Sequence, residues 1–160
     1  MDMTSEAPNG YSAILASTVR MVGMVPVRVD AHSIDEHAAE VGLTLGTVLI
    51  YMRDVHTAQH VADGWSSSAV IAEHLGPARP MQARGGLQRA MGSQVSALVR
   101  LGGLPSITCT PYTRRPGNDT PSHARIMVGP LTFEVCDWTA WAAMSHGFKR
   151  ALRVLRAATA

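Results

Sequence analysis

The sequence predicts an α+β fold in which one ββββα unit occurs twice. Three observations support this prediction: 160 residues of which 46% are apolar and 16% charged, a repeated segment, and β-branched runs separated by glycines. A chain of this size and composition buries a core and forms about one domain. We expect two copies, residues 11–76 and 93–160, joined by a linker over residues 77–92. They would form a pseudo-dimer of antiparallel sheets packed with two helices.

The repeat is visible when the sequence is aligned with itself. Residues 43–65 (LTLGTVLIYMRDVHTAQHVADGW) align without gaps on residues 126–148, at an offset of 83. Three pairs are identical: Gly46 with Gly129, Asp54 with Asp137, and Gly64 with Gly147. Upstream, residues 15–24 align on residues 95–104 at an offset of 80, and a longer loop in the second copy, RRPGNDTP, accounts for the difference. Self-similarity of this kind indicates a duplicated structural unit.

In the first copy, four predicted strands precede one predicted helix. Runs at residues 13–22 and 24–29, interrupted at Gly23, predict two strands with a tight turn or bulge between them. Residues 40–45 and 48–53 predict a hairpin joined by two residues. After it, Asp54 is expected to cap a helix that runs to about residue 75, because its carboxylate accepts hydrogen bonds from the free amides of the first turn.

The second copy repeats this order. Its elements are predicted as strands at residues 94–101, 104–111, 123–128 and 131–136, and a helix at residues 138–157. The segment between the copies, GPARPMQARGGLQRAMGS, is rich in Gly and Pro, which is typical of a linker. We expect the repeated Gly64 and Gly147 to mark a close crossing of the two helices or a shared kink.

The repeated ββββα unit resembles the Whirly class and its single-strand DNA-binding coactivator relatives, in which such a unit is duplicated or dimerised. That resemblance implies binding of single-stranded nucleic acid. The segment VLIYMRDVHTAQHVADGW is also similar to the middle segment of SsgA-like actinobacterial sporulation proteins, in its order of strand, Arg-Asp, helix and Gly. The second resemblance implies a protein-interaction adaptor or regulator of cell development or division.

The net charge of +2 hides a strong polarity along the chain. Residues 1–73 carry three Arg and nine acidic residues, whereas residues 74–133 carry seven Arg and one Asp. The basic block indicates an anionic partner, either single-stranded DNA or RNA or an acidic protein. The candidate nucleic-acid-binding residues are Arg79, Arg84, Arg89, Arg100, Tyr112, Arg114, Arg115 and Arg125. A solvated basic face is the alternative interpretation of the same residues.

Opposite charges after the second strand of each copy predict self-association. In the first copy the acidic residues are Asp30, Asp35 and Glu36, and in the second copy the basic residues are Arg114 and Arg115. We expect chains to associate head to tail through these loops, as a closed ring or a filament.

Residues 57–76 (TAQHVADGWSSSAVIAEHLG) offer a third interpretation, a helix-turn-helix that binds DNA. Gly64 would form the turn, and a serine at 66–68 would cap the recognition helix. Two features oppose this interpretation: a strand precedes the first helix, and the recognition helix would contain Glu73 but no Arg or Lys.

No residue pattern predicts catalysis, a metal site or a cofactor. His56 and His60 share a helical face, but HTAQH lacks the Glu of a HExxH site, so we expect a structural or surface role. Cys109 and Cys136 lack metal-ligand spacing and are expected to be reduced. No apolar stretch approaches the ~18 residues of a membrane span, and the first ten residues contain two acids and no base. These features predict a non-enzymatic, cytoplasmic binding module.

Overall fold

The computed structural model describes residues 17–35, 38–78 and 97–160. Within these ranges the chain forms eight strands and three helices. In chain order they are β1 (Ser17–Met21), β2 (Val27–Ser33), β3 (Ala39–Leu45), β4 (Val48–Met52), α1 (Val55–Ser67), α2 (Ala69–Ala72), β5 (Ala97–Leu101), β6 (Ile107–Tyr112), β7 (His123–Val128), β8 (Leu131–Val135) and α3 (Trp138–Ala158). The predicted α+β class is confirmed, whereas the domain boundaries stay predictions.

The strands form two four-stranded sheets. Sheet I has the order β1-β8-β7-β6, and sheet II has the order β2-β3-β4-β5. Each sheet contains two antiparallel ladders and one parallel ladder, which joins β1 to β8 in sheet I and β4 to β5 in sheet II. Each sheet therefore takes three strands from one half of the chain and its parallel edge strand from the other half.

Local sequence signals explain the hairpins. Leu45 pairs with Val48 across two residues, and Gly46 has a φ of 59°, a left-handed conformation that favours glycine. The hairpin predicted at this position is confirmed. The β7–β8 hairpin has the same design, with Gly129 at a φ of 56°.

The predicted second strand is displaced in the structure. Gly23 has a φ of 68° and separates β1 from β2, as predicted, but β2 begins only at Val27. It then continues to Ser33, which pairs with Ala39 on β3, and so extends beyond the predicted end at residue 29. The pairing with β3 extends β2 because it satisfies the backbone groups of this segment.

The predicted aspartate caps are confirmed. The Asp54 carboxylate accepts hydrogen bonds from the backbone N–H groups of His56 and Thr57 at the start of α1. At the start of α3, Asp137 accepts from Ala140 at 2.8 Å and also from Gly23 at 2.7 Å. The second bond ties the N-terminus of α3 to the chain between β1 and β2.

The first helix differs from its prediction. A continuous helix to about residue 75 is wrong, because α1 ends at Ser67 and the chain turns at Ser68 before the four-residue α2. The turn that the helix-turn-helix interpretation placed at Gly64 is also wrong, since Gly64 lies inside α1. Ser68 instead donates from Oγ to the carbonyl oxygen of Trp65 at 2.6 Å.

The two helix glycines mark close contacts with strands. A Cβ atom on Gly64 would lie 2.6 Å from Cδ1 of Ile107 on β6, and one on Gly147 would lie 2.9 Å from Cγ1 of Val27 on β2. The expectation that the helices cross each other at these glycines is therefore wrong. Each helix instead packs its glycine on a strand from the other half of the chain, because only a residue without a side chain fits there. Trp65 of α1 is fully buried in the core, where its ring packs against those of Phe133 and Phe148.

Candidate nucleic-acid interface

The structure brings some of the predicted nucleic-acid-binding residues together and separates others. Tyr112 at the end of β6 and Arg125 on β7 belong to sheet I, and Arg114 and Arg115 lie in the loop between these strands. Arg100 lies on β5, an edge strand of sheet II. Three further predicted residues lie outside the described residues: Arg79, Arg84 and Arg89.

A row of charged side chains crosses the outer face of sheet I, which is the face turned away from the core. Arg20, Glu134 and Arg125 are neighbours in register on β1, β8 and β7. Arg20 donates from Nε and Nη2 to Oε2 of Glu134 at 3.1 and 2.9 Å, and Nη2 of Arg125 lies 3.6 Å from Oε1. Both arginine side chains are 47% exposed. The carboxylate therefore orients two guanidinium groups that retain N–H donors for a phosphate.

The pKa of the Glu134 carboxyl lies below its ordinary value of 4.5. Burial raises this pKa, but the hydrogen bond from Arg20 and the electrostatic interactions with His123, Arg20 and Arg125 together lower it by more. Glu134 is therefore ionised at neutral pH, and the row carries two positive charges and one negative charge.

An aromatic stack lies next to this row, at the β6 edge of the sheet. The rings of Tyr112 and His123 are partners in register, with centroids 4.6 Å apart and planes 18° apart. Nδ1 of the buried His123 lies 2.8 Å from the carbonyl oxygen of Pro121. The Tyr112 hydroxyl accepts from Nδ2 of Asn118 at 2.8 Å. The tyrosine ring is therefore held in one orientation beside the arginine row.

The loop between β6 and β7 carries two further arginines. The backbone N–H of Arg114 donates to Oγ of Ser122 at 2.9 Å, and Nε of Arg114 donates to the carbonyl oxygen of Asn118 at 3.2 Å. The backbone N–H of Asn118 donates to the carbonyl oxygen of Arg115 at 3.1 Å. These bonds order the loop, and both arginines are exposed. They extend the positive surface of sheet I beyond the end of β6.

The outer face of sheet II holds a separate cluster. Arg100 lies opposite Tyr51 in register, with Cζ 5.7 Å from the centroid of the tyrosine ring, a cation–π distance. Oε2 of the buried Glu40 accepts from Nε of Arg53 at 2.7 Å and lies 3.7 Å from Nε of Arg100. Arg100 therefore belongs to a different surface from Tyr112 and the loop arginines.

Only two of the three acidic residues predicted to mediate self-association lie in the described part of the chain. Asp30 lies within β2, not in a loop after it, and its Oδ2 lies 2.8 Å from Nε of Arg28 in an ion pair. Asp35 follows the end of β2, and Glu36 lies outside the described residues. The charge of Asp30 is therefore offset within its own strand.

Comparison of the chain with protein-family models, with curated proteins and with solved structures gave no match. The resemblances to the Whirly class and to the SsgA-like proteins stay predictions. Among the described residues, no helix is both long and apolar enough to cross a membrane.

Sequence reasoning missed two members of the sheet I row, Arg20 and Glu134. A signal for Arg20 was present, because it aligns with the predicted residue Arg100 at the offset of 80. No comparable signal exists for Glu134, because its place between two arginines depends on the strand order of sheet I. Only the pairing of β1 with β8 brings Arg20 beside it.

The contacts of His60, Cys109 and Cys136 indicate structural roles for these side chains. Nε2 of His60 lies 2.9 Å from the carbonyl oxygen of Pro105. Burial raises the pKa of the Cys109 thiol, and it raises that of Cys136 to about 11, so both thiols are protonated at neutral pH and are weak nucleophiles. In the part of the chain that the structure describes, no three His, Cys, Asp or Glu residues are placed to hold a metal ion.

Proposed function

We propose that the protein is a non-enzymatic, cytoplasmic module that binds single-stranded DNA or RNA on the outer face of sheet I. The observation that carries this proposal is the Tyr112 ring, stacked on His123 beside Arg125 and the loop arginines. Proteins hold single strands by stacking bases on aromatic rings and by placing cations along the phosphates. The Tyr112 ring would supply the first contact and the arginines the second.

The remainder of this face supports the proposal, because its side chains are mostly small or polar. The exposed neighbours of the charged row are Thr18, Thr108, Thr110 and Met127. A four-stranded sheet with such a surface lets unstacked bases lie flat across it, as in other sheet-based RNA-binding modules. Arg114 and Arg115 would hold the phosphates of the strand where it leaves the sheet at β6.

The topology supports the interpretation that the chain is a duplicated ββββα unit of the Whirly type. Four strands and a helix occur twice in the same order, and each sheet takes one strand from the other half. The two helix glycines contact Val27 and Ile107, which are related by the same offset of 80 residues as the aligned first strands. The Whirly resemblance implies single-strand binding, in agreement with the proposed site.

A protein-interaction adaptor, the function implied by the SsgA-like resemblance, is the second candidate. One observation favours it: Leu98 on β5 is 54% exposed and lies opposite Leu49 on the outer face of sheet II. Exposed apolar side chains of this kind are typical of contact surfaces for other proteins. Its test is capture of a partner from a lysate by the wild-type chain, and loss of that partner from the Leu98→Asp variant.

The nucleic-acid proposal is tested by fluorescence anisotropy of labelled single-stranded oligonucleotides. Tyr112→Leu removes the ring and is expected to raise the Kd about 5- to 150-fold, which corresponds to the stacking energy of one base. Tyr112→Phe keeps the ring and is expected to retain the affinity. Tyr51→Leu removes an aromatic ring from sheet II and is the matched control, with an unchanged Kd.

The loop arginines are tested through the salt dependence of binding. Arg114→Ala combined with Arg115→Ala is expected to reduce the magnitude of the negative slope of log K against log salt by about 1.4, since each phosphate contact of a single strand contributes about 0.7. Absence of binding at low salt, or a Tyr112→Leu protein that binds as tightly as wild type, would contradict the proposal.

A further inference from the structure

The exposed side of α3 carries a dense positive charge that lies outside the proposed sheet site. The 21 residues of this helix include four basic residues and no acidic one. We call these exposed residues the α3 stripe: Lys149, Arg150, Arg153 and Arg156. At 3.6 residues per turn they occupy about a third of the helix circumference. Buried apolar residues such as Phe148 and Leu155 lie on the opposite side.

The α3 stripe lacks the carboxylate partners that the sheet arginines have. Arg20, Arg53 and Arg125 each lie beside a largely buried glutamate. Among the described residues, by contrast, no ion pair involves Lys149, Arg150, Arg153 or Arg156. Arg156 donates to the neutral side chain of Gln59. Like charges three or four residues apart repel on a helix, so the stripe has a positive field that an anionic ligand would offset.

The stripe borders a shallow hollow of about 440 Å³, lined by His146, Arg150, Arg153, Val154 and Ala157. The equivalent side of α1 also borders a hollow, of about 600 Å³. Counted from the N-cap aspartates, Asp63 and Ser67 of α1 occupy the positions of His146 and Arg150 of α3. This side of the helix is therefore positively charged on α3 but not on α1.

We propose that the α3 stripe binds the phosphate backbone of single-stranded nucleic acid, as a second surface in addition to the sheet. This inference rests on the proposed function, because it takes the same ligand. The stripe contributes charge without aromatic rings: Trp138 and Trp141 lie in the first turn of α3, before the stripe begins. It therefore binds phosphates independently of base identity, as such contacts do.

The chemistry of the stripe favours nucleic acid over a protein or a membrane. A stable protein interface has an apolar centre, often with aromatic residues. The hollow offers only Val154 and Ala157 as apolar lining. A helix that lies on a membrane inserts its apolar side among the lipids, but the apolar side of α3 is buried in the core. The regularly spaced phosphates of nucleic acid can bind a helix that has neither an apolar centre nor an exposed apolar side.

The test is the salt dependence of oligonucleotide binding by a triple variant, Lys149→Gln with Arg150→Gln and Arg153→Gln. Loss of three phosphate contacts is expected to reduce the magnitude of the negative slope of log K against log salt by about 2. The single variant Arg153→Gln should lower it by about 0.7. Arg28→Gln, which removes one exposed guanidinium from sheet II, is the matched control with an unchanged slope. Neutralising exposed like charges also predicts a Tm no lower than that of wild type, which confirms that the variant folds.

The outcomes separate this inference from the proposed function. If Tyr112→Leu weakens binding while the triple variant keeps the wild-type slope, the proposed role of the α3 stripe is contradicted and the sheet site is supported. If the triple variant reduces the magnitude of the slope while Tyr112→Leu has no effect, the stripe is a binding surface and the sheet site is contradicted. Polyglutamate that displaces the oligonucleotide as efficiently as unlabelled oligonucleotide does would overturn the assignment of the stripe to nucleic acid.

Discussion

Trp141 of α3 donates a hydrogen bond of 2.8 Å from Nε1 to Oγ of Ser68, the residue that directly follows α1. Both residues are buried. The Ser68 hydroxyl in turn donates a hydrogen bond to the carbonyl oxygen of Trp65 at 2.6 Å. One hydroxyl therefore satisfies an indole N–H of one helix and a carbonyl of the other, and it also explains why the chain turns at this serine.

Ser68→Ala is expected to lower the free energy of unfolding by about 1–3 kcal/mol, because the indole N–H of Trp141 loses its acceptor while it stays buried. Urea denaturation followed by tryptophan fluorescence measures this change. The neighbouring Ser67 is exposed and bonds the carbonyl oxygen of Asp63 at 3.0 Å, so Ser67→Ala is the control. Its effect should stay within about 0.5 kcal/mol. Equal effects of the two substitutions would contradict the role of Ser68 as the acceptor for the Trp141 indole.

Gly64→Ala is expected to destabilise the protein, although alanine favours a helix interior. The added Cβ would lie 2.6 Å from Cδ1 of Ile107, and such overpacking costs about 1–3 kcal/mol. Gly102→Ala is the control, since no atom lies within 4 Å of its added Cβ.

Combining Gly64→Ala with Ile107→Ala should cost less than the sum of the two single changes, because the second substitution removes the atoms that clash. A double-mutant cycle from urea denaturation measures this coupling. Strict additivity would show that the contact between α1 and β6 does not limit the packing.

The lowered pKa of Glu134 predicts how stability depends on pH. A carboxyl group whose folded pKa lies below its ordinary 4.5 stabilises the folded state fully above that value. The contribution is lost as the pH falls below 4.5 through the folded pKa. Thermal unfolding between about pH 3 and pH 7 should therefore show a steeper acid loss for wild type than for Glu134→Gln. Parallel curves would contradict this linkage, and Glu73→Gln at an exposed site is the control.

Self-association through the charged loops stays a prediction, and it can be measured directly. Sedimentation velocity at low salt should show species larger than a monomer, and high salt should dissociate them, because opposite surface charges are screened. Arg114→Ala with Arg115→Ala should give a monomer at both salt concentrations. Since Arg28 already pairs with Asp30, Asp30→Asn should have only a small effect. A wild-type monomer at low salt and micromolar protein would refute the prediction.

Local sequence signals predicted the hairpins and the starts of the long helices. Glycines with left-handed φ values placed the hairpins at Gly46 and Gly129, and the two aspartates placed the starts of the long helices. These signals work because they act over a few residues. The break at Ser68 was missed because it depends on Trp141, which lies 73 residues away in the sequence.

The candidate site was only partly predictable. Tyr112, Arg114 and Arg115 are close in sequence, so an arginine-rich loop beside a tyrosine was visible without a structure. The row of Arg20, Glu134 and Arg125 was not visible, because it requires the order and register of three strands. Arg100 was grouped with the others by its position in the basic block, whereas the sheet order places it on the opposite sheet.

The exchanged edge strands have a consequence for how the chain folds. Arg20 on β1 meets Glu134 on β8 across 114 positions of the sequence, so sheet I is incomplete until the second half of the chain has been synthesised. When strands this far apart in the sequence pair, the chain loses loop-closure entropy before the contacts between the strands stabilise the sheet. This loss slows folding. The two halves should therefore unfold in one cooperative transition. Expressed as separate polypeptides, they should be unstable alone and reconstitute the native protein when mixed.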